Sequence, residues 1–222
     1  MYTFTLISYN VNSVRARFHI LDYLFSKYEP DILCLQETKV EDSEFPTGYF
    51  KGKGYEVIFS GEKGRSGVAV VFKSSFETTL LSRGLQGRDF SRLMELSFDS
   101  FILFNVYVPQ GRSPEDEEFK HKLDFLDNLL SYIDEKYSPK DPLLLVGDLN
   151  IAPSKIDVHS PDKLYGHVCF RDEVWERFKR FIGWGFYDLY RKFHPEPGHY
   201  TFFDYRVKDA VKRGLGWRVD HV

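Results

Sequence analysis

The sequence predicts an α/β fold in which two β-sheets pack on one another with helices outside. Three observations predict it. Short apolar runs rich in β-branched and aromatic residues recur along the chain, with the length and composition of buried strands. Between them lie stretches whose apolar residues repeat at helical spacing. The composition supplies the core: 222 residues, 42% hydrophobic and 17% aromatic, suit one well-buried domain of the larger kind, so 1–222 is expected to be a single domain.

Taken in order, Phe4 to Val11 is the first strand and carries Asn10 near its end. Arg17 to Tyr28 places Phe18, Leu21, Leu24 and Phe25 on one face, an amphipathic helix that Glu29-Pro30-Asp31 stops, because proline disfavours helical backbone in the residue before it. Ile32 to Gln36 is a continuous apolar run, hence a buried strand, followed at once by Glu37. Lys51 to Gly67 reads as a hairpin or loop region around Tyr55 to Phe59, and Gly67 to Phe72 as a third strong strand. Leu93 to Phe98 and Phe101 to Val108 predict neighbouring strands joined at Asp99-Ser100, the second passing Tyr107 before Pro109 closes it. Ser113-Pro-Glu-Asp predicts a helix start, with Ser113 as cap and Pro114 in the first helical position. Its core stripe is Phe119, Leu123, Leu126, Leu130 and Ile133. After Pro139 to Pro142 comes Leu143 to Asn150, an apolar run into Gly-Asp-Leu-Asn. Residues 151–171 look irregular, Val174, Phe178 and Phe181 mark another helix, and the tail from Tyr200 is aromatic and basic.

The bulk properties exclude several classes. No apolar run approaches membrane-span length and the N-terminus lacks a signal-peptide pattern, so no membrane partner is expected. Two cysteines, Cys34 and Cys169, build no disulfide framework and fit a reducing cytoplasm, with Cys34 a small core residue. A net charge of −3 rules out a nonspecific polycation without excluding nucleic acid, since local basic groups and a metal ion handle phosphates within an acidic protein. No heptad seam is present, and a monomer is expected.

Chemistry gathers where the strands end. Asn10, Glu37, Tyr107 and the pair Asp148/Asn150 stand at separate strand ends, which two packed sheets bring to one rim. Along an extended chain i and i+2 point the same way, so Asp148 and Asn150 offer a carboxylate and an amide to one spot. Each alone has a structural reading, Asn10 and the Asp148/Asn150 pair as turn residues, Glu37 as a solvated acid and Tyr107 as core, and their joint recurrence shifts the balance. Oxygen ligands without His or Cys suit a hard ion, Mg²⁺ or Mn²⁺.

These residues also carry a resemblance. Ser8-Tyr-Asn-Val-Asn-Ser-Val-Arg15, Leu33-Cys-Leu-Gln-Glu-Thr-Lys39, Ser66-Gly-Val-Ala69, Asn105-Val-Tyr-Val-Pro109, Gly147-Asp-Leu-Asn-Ile-Ala-Pro153, Ile156-Asp157 and Gly216-Trp-Arg-Val-Asp220 occur in the order found in the exonuclease III family of abasic-site endonucleases. The chain resembles that family over essentially its whole length. The resemblance implies a four-layer α/β/β/α sandwich of two packed mixed sheets. It implies a Mg²⁺-dependent DNA repair nuclease that cleaves the phosphodiester 5′ to an abasic site in double-stranded DNA, with 3′→5′ exonuclease and 3′-phosphodiesterase activity beside it. By the same resemblance Asn10 and Glu37, with Asp148 and Asn150, hold the metal. Asp148 activates or orients the attacking water, Asn150 positions the phosphate, Tyr107 binds it and Asp220 assists. Arg92 and Arg112 match positions near the phosphate backbone, with Arg112 equally readable as a solvated surface residue. Phe202, Trp217 and Val219 match the apolar pocket for a flipped baseless sugar, or alternatively an aromatic core edge. His167 lies in the loop where relatives often place an inserting Asn.

Family members continue past the Trp-Arg-x-Asp strand to a Ser-Asp-His-x-Pro segment, and no Ser-Asp-His occurs here. The expectation is a truncated form of a longer active protein, lacking its last strand and catalytic loop. His221 is no substitute: it neighbours Asp220 on one strand, so the two side chains point to opposite faces. Two other readings stand beside the nuclease: a phosphatase or lipid phosphodiesterase on the same fold, and an inactive DNA-binding module.

Overall fold

The structure is a computed structural model and describes residues 3–85 and 87–222. Its backbone divides into two compact units, Met1–Tyr107 with Pro142–Gly147, and Val108–Asp141 with Asp148–Val222. The predicted fold class holds: α/β, with two mixed sheets flanked by helices.

The first unit opens with β1 (Leu6–Asn10), α1 (Phe18–Tyr28) and β2 (Ile32–Gln36), a parallel β-α-β crossover. A short helix α2 (Thr47–Lys51) precedes the antiparallel strands β3 (Tyr55–Gly61) and β4 (Gly67–Lys73), giving a sheet of order β1-β2-β4-β3. The second sheet runs through β5 (Thr78–Arg83), β6 (Leu93–Phe98) and β7 (Phe101–Tyr107), paired antiparallel, and β8 (Leu143–Asp148) beside β7. Ile102 N donates to Pro142 O at one end and Val108 N to Asp148 O at the other, a constant offset that makes β7 and β8 parallel.

Strand β2 shows why its apolar run is continuous. Ile32 and Cys34 face the second sheet, packing in one cluster with Val68, Val70, Met94, Leu96 and Val146. Leu33 and Leu35 face the other way, against Leu21 and Phe25 of α1. A strand covered on both sides has no face for polar residues. Cys34 is wholly buried among them, as expected of a small core thiol, and burial pushes its pKa up. Gly147 serves a close approach. Its φ is +137°, and a Cβ there would collide with the Val106 carbonyl on β7.

In the second unit, α3 (Glu117–Lys136) is followed by a 3₁₀ turn at Lys155–Asp157, α4 (Pro161–Leu164), α5 (Asp172–Trp184) and α6 (Leu189–Phe193). The short strands β9 (Phe202–Phe203) and β10 (Gly216–Trp217) pair antiparallel, and β11 (Asp220–His221) lies near the chain end. Helix α3 starts later than the sequence predicts. Asp116, not Ser113, is the cap: its Oδ1 accepts from Phe119 N at 2.6 Å while Oδ2 accepts from Arg112 N (2.7 Å) and Ser113 N (3.1 Å). One carboxylate satisfies three backbone donors, which a serine hydroxyl cannot match. Replacing Asp116 by Ala is expected to lower the urea midpoint, and an unchanged midpoint would show that the cap is redundant.

The α3 stripe is also rotated. Phe125 and Leu129 join Phe119, Leu126, Leu130 and Ile133 inside, Leu123 is only half-buried, and Lys122 is fully buried. Among the described residues no helix is long and apolar enough to cross a membrane.

Candidate active site

In the first unit the parallel pairing of β1 and β2 sets Asn10 opposite Gln36 and therefore beside Glu37. Asn10 Nδ2 donates to Glu37 Oε1 at 2.7 Å, and Asn10 Oδ1 accepts from Asn12 N at 3.0 Å. Lys39 Nζ lies 2.8 Å from Glu37 Oε2 and donates to Asn12 Oδ1 at 2.6 Å. Behind them Gln36 Nε2 donates to Asn105 Oδ1 at 2.7 Å, while Asn105 Nδ2 reaches Leu35 O and Ala69 O, all buried between the two sheets. This amide pair, invisible to periodicity, locks the strand end that carries Glu37.

The backbone here is unusual. Asn12, Ser13, Glu37 and Lys39 all have positive φ, of 40°, 85°, 52° and 56°. Left-handed conformations of non-glycine residues persist only where the surroundings enforce them, and they cluster at functional sites. Ser13 N on Glu37 O and Val14 N on Thr38 O supply that enforcement. Tyr107, at the end of β7, lies under Arg92, whose guanidinium carbon is 4.9 Å from the ring centre. An open hollow of ≈ 680 Å³ elsewhere in this unit, lined by residues such as Asp22, Lys53 and Lys73, contains none of these groups.

The second unit holds the other expected residues. Asp148 is 5% exposed and its Oδ1 accepts from Asn150 N at 2.9 Å. Asn150 has φ +52°, so the chain has left the strand. The same-side argument for Asp148 and Asn150 therefore fails past Asp148, because alternation belongs to extended backbone; a side-chain turn joins them instead. Asn150 Nδ2 donates to Val108 O at 2.9 Å, so one of its two amide protons is committed to the backbone.

Asp220 N and Val219 N both lean on Thr201 Oγ1, at 3.2 and 3.1 Å. Phe202 pairs with Trp217 across β9 and β10, and the His167 ring lies 4.8 Å from Trp217. Burial lowers the His167 pKa, and the Lys122 charge adds to this, which favours the neutral imidazole. Val219 is nearly buried, Phe202 is 41% exposed, and Trp217 packs against Ala152, Val158 and Phe170, so it is also the edge of a core. Arg112 is exposed, and its backbone N–H serves the α3 cap. His221 is buried between Arg218 Nη1 at 3.0 Å and Ile151 O at 2.8 Å, the packing role expected of it.

Two supporting roles appear only in the structure, those of Lys122 and of Asp157, the second a residue of the Ile156-Asp157 motif. Lys122 donates to Asn150 O at 2.6 Å and Val168 O at 2.7 Å, so a buried ammonium ties the loop after Asp148 to the loop bearing His167; burial lowers its pKa. Asp157 accepts from Arg218 Nε at 2.6 Å, Arg191 Nη2 at 2.6 Å and Ser154 Oγ at 2.6 Å. Burial alone would raise the Asp157 pKa, but Arg218, Ser154 and Arg191 outweigh it and hold the carboxyl below its usual range. Arg218 in turn reaches Asp188 at 2.7 Å and fixes the segment between Trp217 and Asp220. Lys122 breaks an otherwise apolar α3 face, the one signal that marks it in the sequence.

A metal fits the oxygen donors of the first unit. A carboxylate offers about four lone-pair directions, and Asn10 and Lys39 engage one on each Glu37 oxygen. Lys39 Nζ, 2.8 Å from Glu37 Oε2, already places one positive charge at this carboxylate. Such all-oxygen donors match hard divalent ions.

Comparison with known proteins gives the family of the chain. A model of the endonuclease/exonuclease/phosphatase family matches residues 7–222. Exodeoxyribonuclease III of Haemophilus influenzae is 34% identical over 97% of this chain and 85% of the relative. The solved AP endonuclease of Archaeoglobus fulgidus superposes with a TM-score of 0.94 at 43% identity, covering 99% of this chain and 85% of that one. A Neisseria 3′ phosphatase solved with a product DNA hairpin gives a TM-score of 0.90 at 30% identity, covering 99% and 85%. Strand ends that carry Asn, Glu and Asp-x-Asn on this frame, matched along nearly the whole chain, leave one assignment: this chain belongs to the endonuclease/exonuclease/phosphatase family, in the branch of exodeoxyribonuclease III and the AP endonucleases.

Proposed function

We propose that the chain is a metal-dependent DNA repair nuclease that hydrolyses the phosphodiester 5′ to an abasic site in double-stranded DNA, acting as a monomer. The observation that carries this reading is the enforced left-handed cluster around Glu37, with Asn10 hydrogen-bonded to the carboxylate at 2.7 Å. Asn10 and Glu37 would hold the ion, Mg²⁺ with Mn²⁺ as its substitute, as the family pattern implies. When bound, the ion neutralises charge on the phosphate.

The chain's own groups do the rest. Asp148 takes a proton from the attacking water, and its fixed Oδ1 keeps the carboxylate oriented. Asn150 offers its remaining amide proton to the phosphate. Tyr107 donates its hydroxyl to a phosphate oxygen while Arg92, stacked on the ring, adds positive charge. Asp220 assists from the start of β11, where its N–H is anchored on Thr201, and Arg112 contacts the backbone from the surface. Phe202, Trp217 and Val219 receive the baseless sugar, whose extrusion is cheap because no base holds it in the stack, and neutral His167 lies beside Trp217. Free thiols at Cys34 and Cys169 suit a reducing cytoplasm.

The test is an end-labelled duplex with one central abasic site, incubated with Mg²⁺ or with EDTA beside an intact duplex. One Mg²⁺-dependent nick leaving a 3′-hydroxyl is expected on the abasic strand alone. Cleavage that ignores the lesion would remove the abasic assignment, and binding without cleavage would establish a DNA-binding module. A 3′-phosphate duplex in parallel measures end-trimming activity.

A further inference from the structure

A second cluster lies in the second unit and takes no part in the proposed reaction. His194, Glu196 and His199 offer ligand atoms that all lie within 4.8 Å of one another. His194 Nδ1 is 3.4 Å from Glu196 Oε1, and His199 Nε2 is 3.1 Å from the same oxygen. Donors around a tetrahedral ion with bonds of about 2.0–2.1 Å stand about 3.3 Å apart, so both separations already match the edge of such a site. Two imidazoles and one carboxylate are also the donor set of a borderline transition ion, unlike the all-oxygen group around Glu37.

The segment is held in place rather than loose. Arg191 Nη1 donates to His194 O at 2.9 Å and Glu196 O at 2.8 Å, and its Nε and Nη2 are anchored on buried Asp157 at 3.0 and 2.6 Å. Pro195 and Pro197 flank Glu196 and fix φ on both sides of it. The Tyr190 ring lies 4.8 Å from the His194 ring and 5.9 Å from His199, and the two imidazoles stack 5.4 Å apart. Much of the ordering that binding would otherwise require is therefore already present.

We propose that His194, Glu196 and His199 form a surface site for a transition-metal dication of the Zn²⁺, Co²⁺ or Ni²⁺ class, with water in the remaining position. The site is separate from the Glu37 group in ligand chemistry, and the proposal does not rest on the nuclease reading. Its structural consequence follows from chain continuity. His199 is two residues before Thr201, whose hydroxyl accepts from Val219 N and Asp220 N and whose N–H donates to Trp217 O at 2.9 Å. A metal clamp on His199 stiffens the segment leading into that hairpin.

The experiment is a Co²⁺ titration of the full chain in saturating Mg²⁺, which occupies the oxygen-donor group. Binding is read by visible ligand-field bands and by displacement with Zn²⁺, and thermal unfolding is followed in parallel. The expected result is one equivalent of Co²⁺ bound at micromolar affinity, with a raised unfolding temperature. Each of His194→Ala, Glu196→Gln and His199→Ala is expected to weaken binding by about tenfold or more, whereas His19→Ala, at an exposed histidine of α1, leaves it unchanged. Circular dichroism checks that each variant is folded. Absence of ligand-field bands in the unaltered chain overturns the proposal, as does undiminished binding in the His194→Ala/His199→Ala double variant.

Discussion

Asp148→Asn is expected to lower the single-turnover incision rate at an abasic site by about 10³-fold while DNA affinity changes little. The substitution isolates the carboxylate. Asn keeps an Oδ1 that accepts from Asn150 N, so the turn joining the two residues survives, and a site 5% exposed loses neither volume nor shape. What disappears is the basic oxygen proposed to take the proton from water. Far-UV circular dichroism and the urea midpoint should match the parent chain, and an electrophoretic-mobility titration should still show binding. A rate within a few-fold of the parent would assign proton removal to another group. A parallel loss of DNA affinity would place Asp148 in substrate binding rather than in chemistry.

Asp157→Asn should have the largest effect on stability, about 3–5 kcal/mol by urea unfolding. Asp157 and Arg218 are each 1% exposed at the side chain and 2.6 Å apart, so removing one charge leaves the other buried and under-compensated. Asp188, 2.7 Å from Arg218, remains as a partner and places the loss toward the lower end of that range. The pH dependence has a definite sign. Because the folded carboxyl is held below its unfolded value, its contribution is fully present above the unfolded pKa of about 3.9 and is lost as pH falls through the folded pKa. The parent chain should therefore lose stability steeply on the acid side. The Asn variant, already without that contribution, should show a shallower acid limb, and identical slopes for the two would show that Asp157 is not the group responsible.

Much of the frame was readable because it rests on short-range regularities. The continuous run Ile32 to Gln36 and the alternation of helix and strand reflect how each segment is buried, and burial leaves its mark on composition. The ends of β1, β2, β7 and β8 fall where the polar residues Asn10, Glu37, Tyr107 and Asp148 interrupt apolar runs. What could not be read involves competition between nearby alternatives. Ser113 has every local qualification of a helix cap, yet Asp116 wins because one carboxylate collects three backbone donors. The strand β5 has a half-exposed pattern, alternately intermediate and exposed, and so carries too little apolar contrast to stand out. Lys122 looks like a solvated helix residue until Asn150 and Val168 turn their carbonyls toward it.

The sequence by itself determined the fold class, the strand ends and the identities of the oxygen-bearing groups, since these follow from local periodicity and from residue chemistry. Only the tertiary structure decided how those groups are held. The left-handed backbone at Glu37 and Asn150, the buried Gln36–Asn105 amide pair, and the Arg218–Asp157–Arg191 network join residues far apart in the chain. The hydrogen bonds that enforce such conformations are long-range, and a buried polar group is stable only when distant partners satisfy it. No single stretch of sequence carries that information, because both halves of each contact must be brought together by the fold before either has a role.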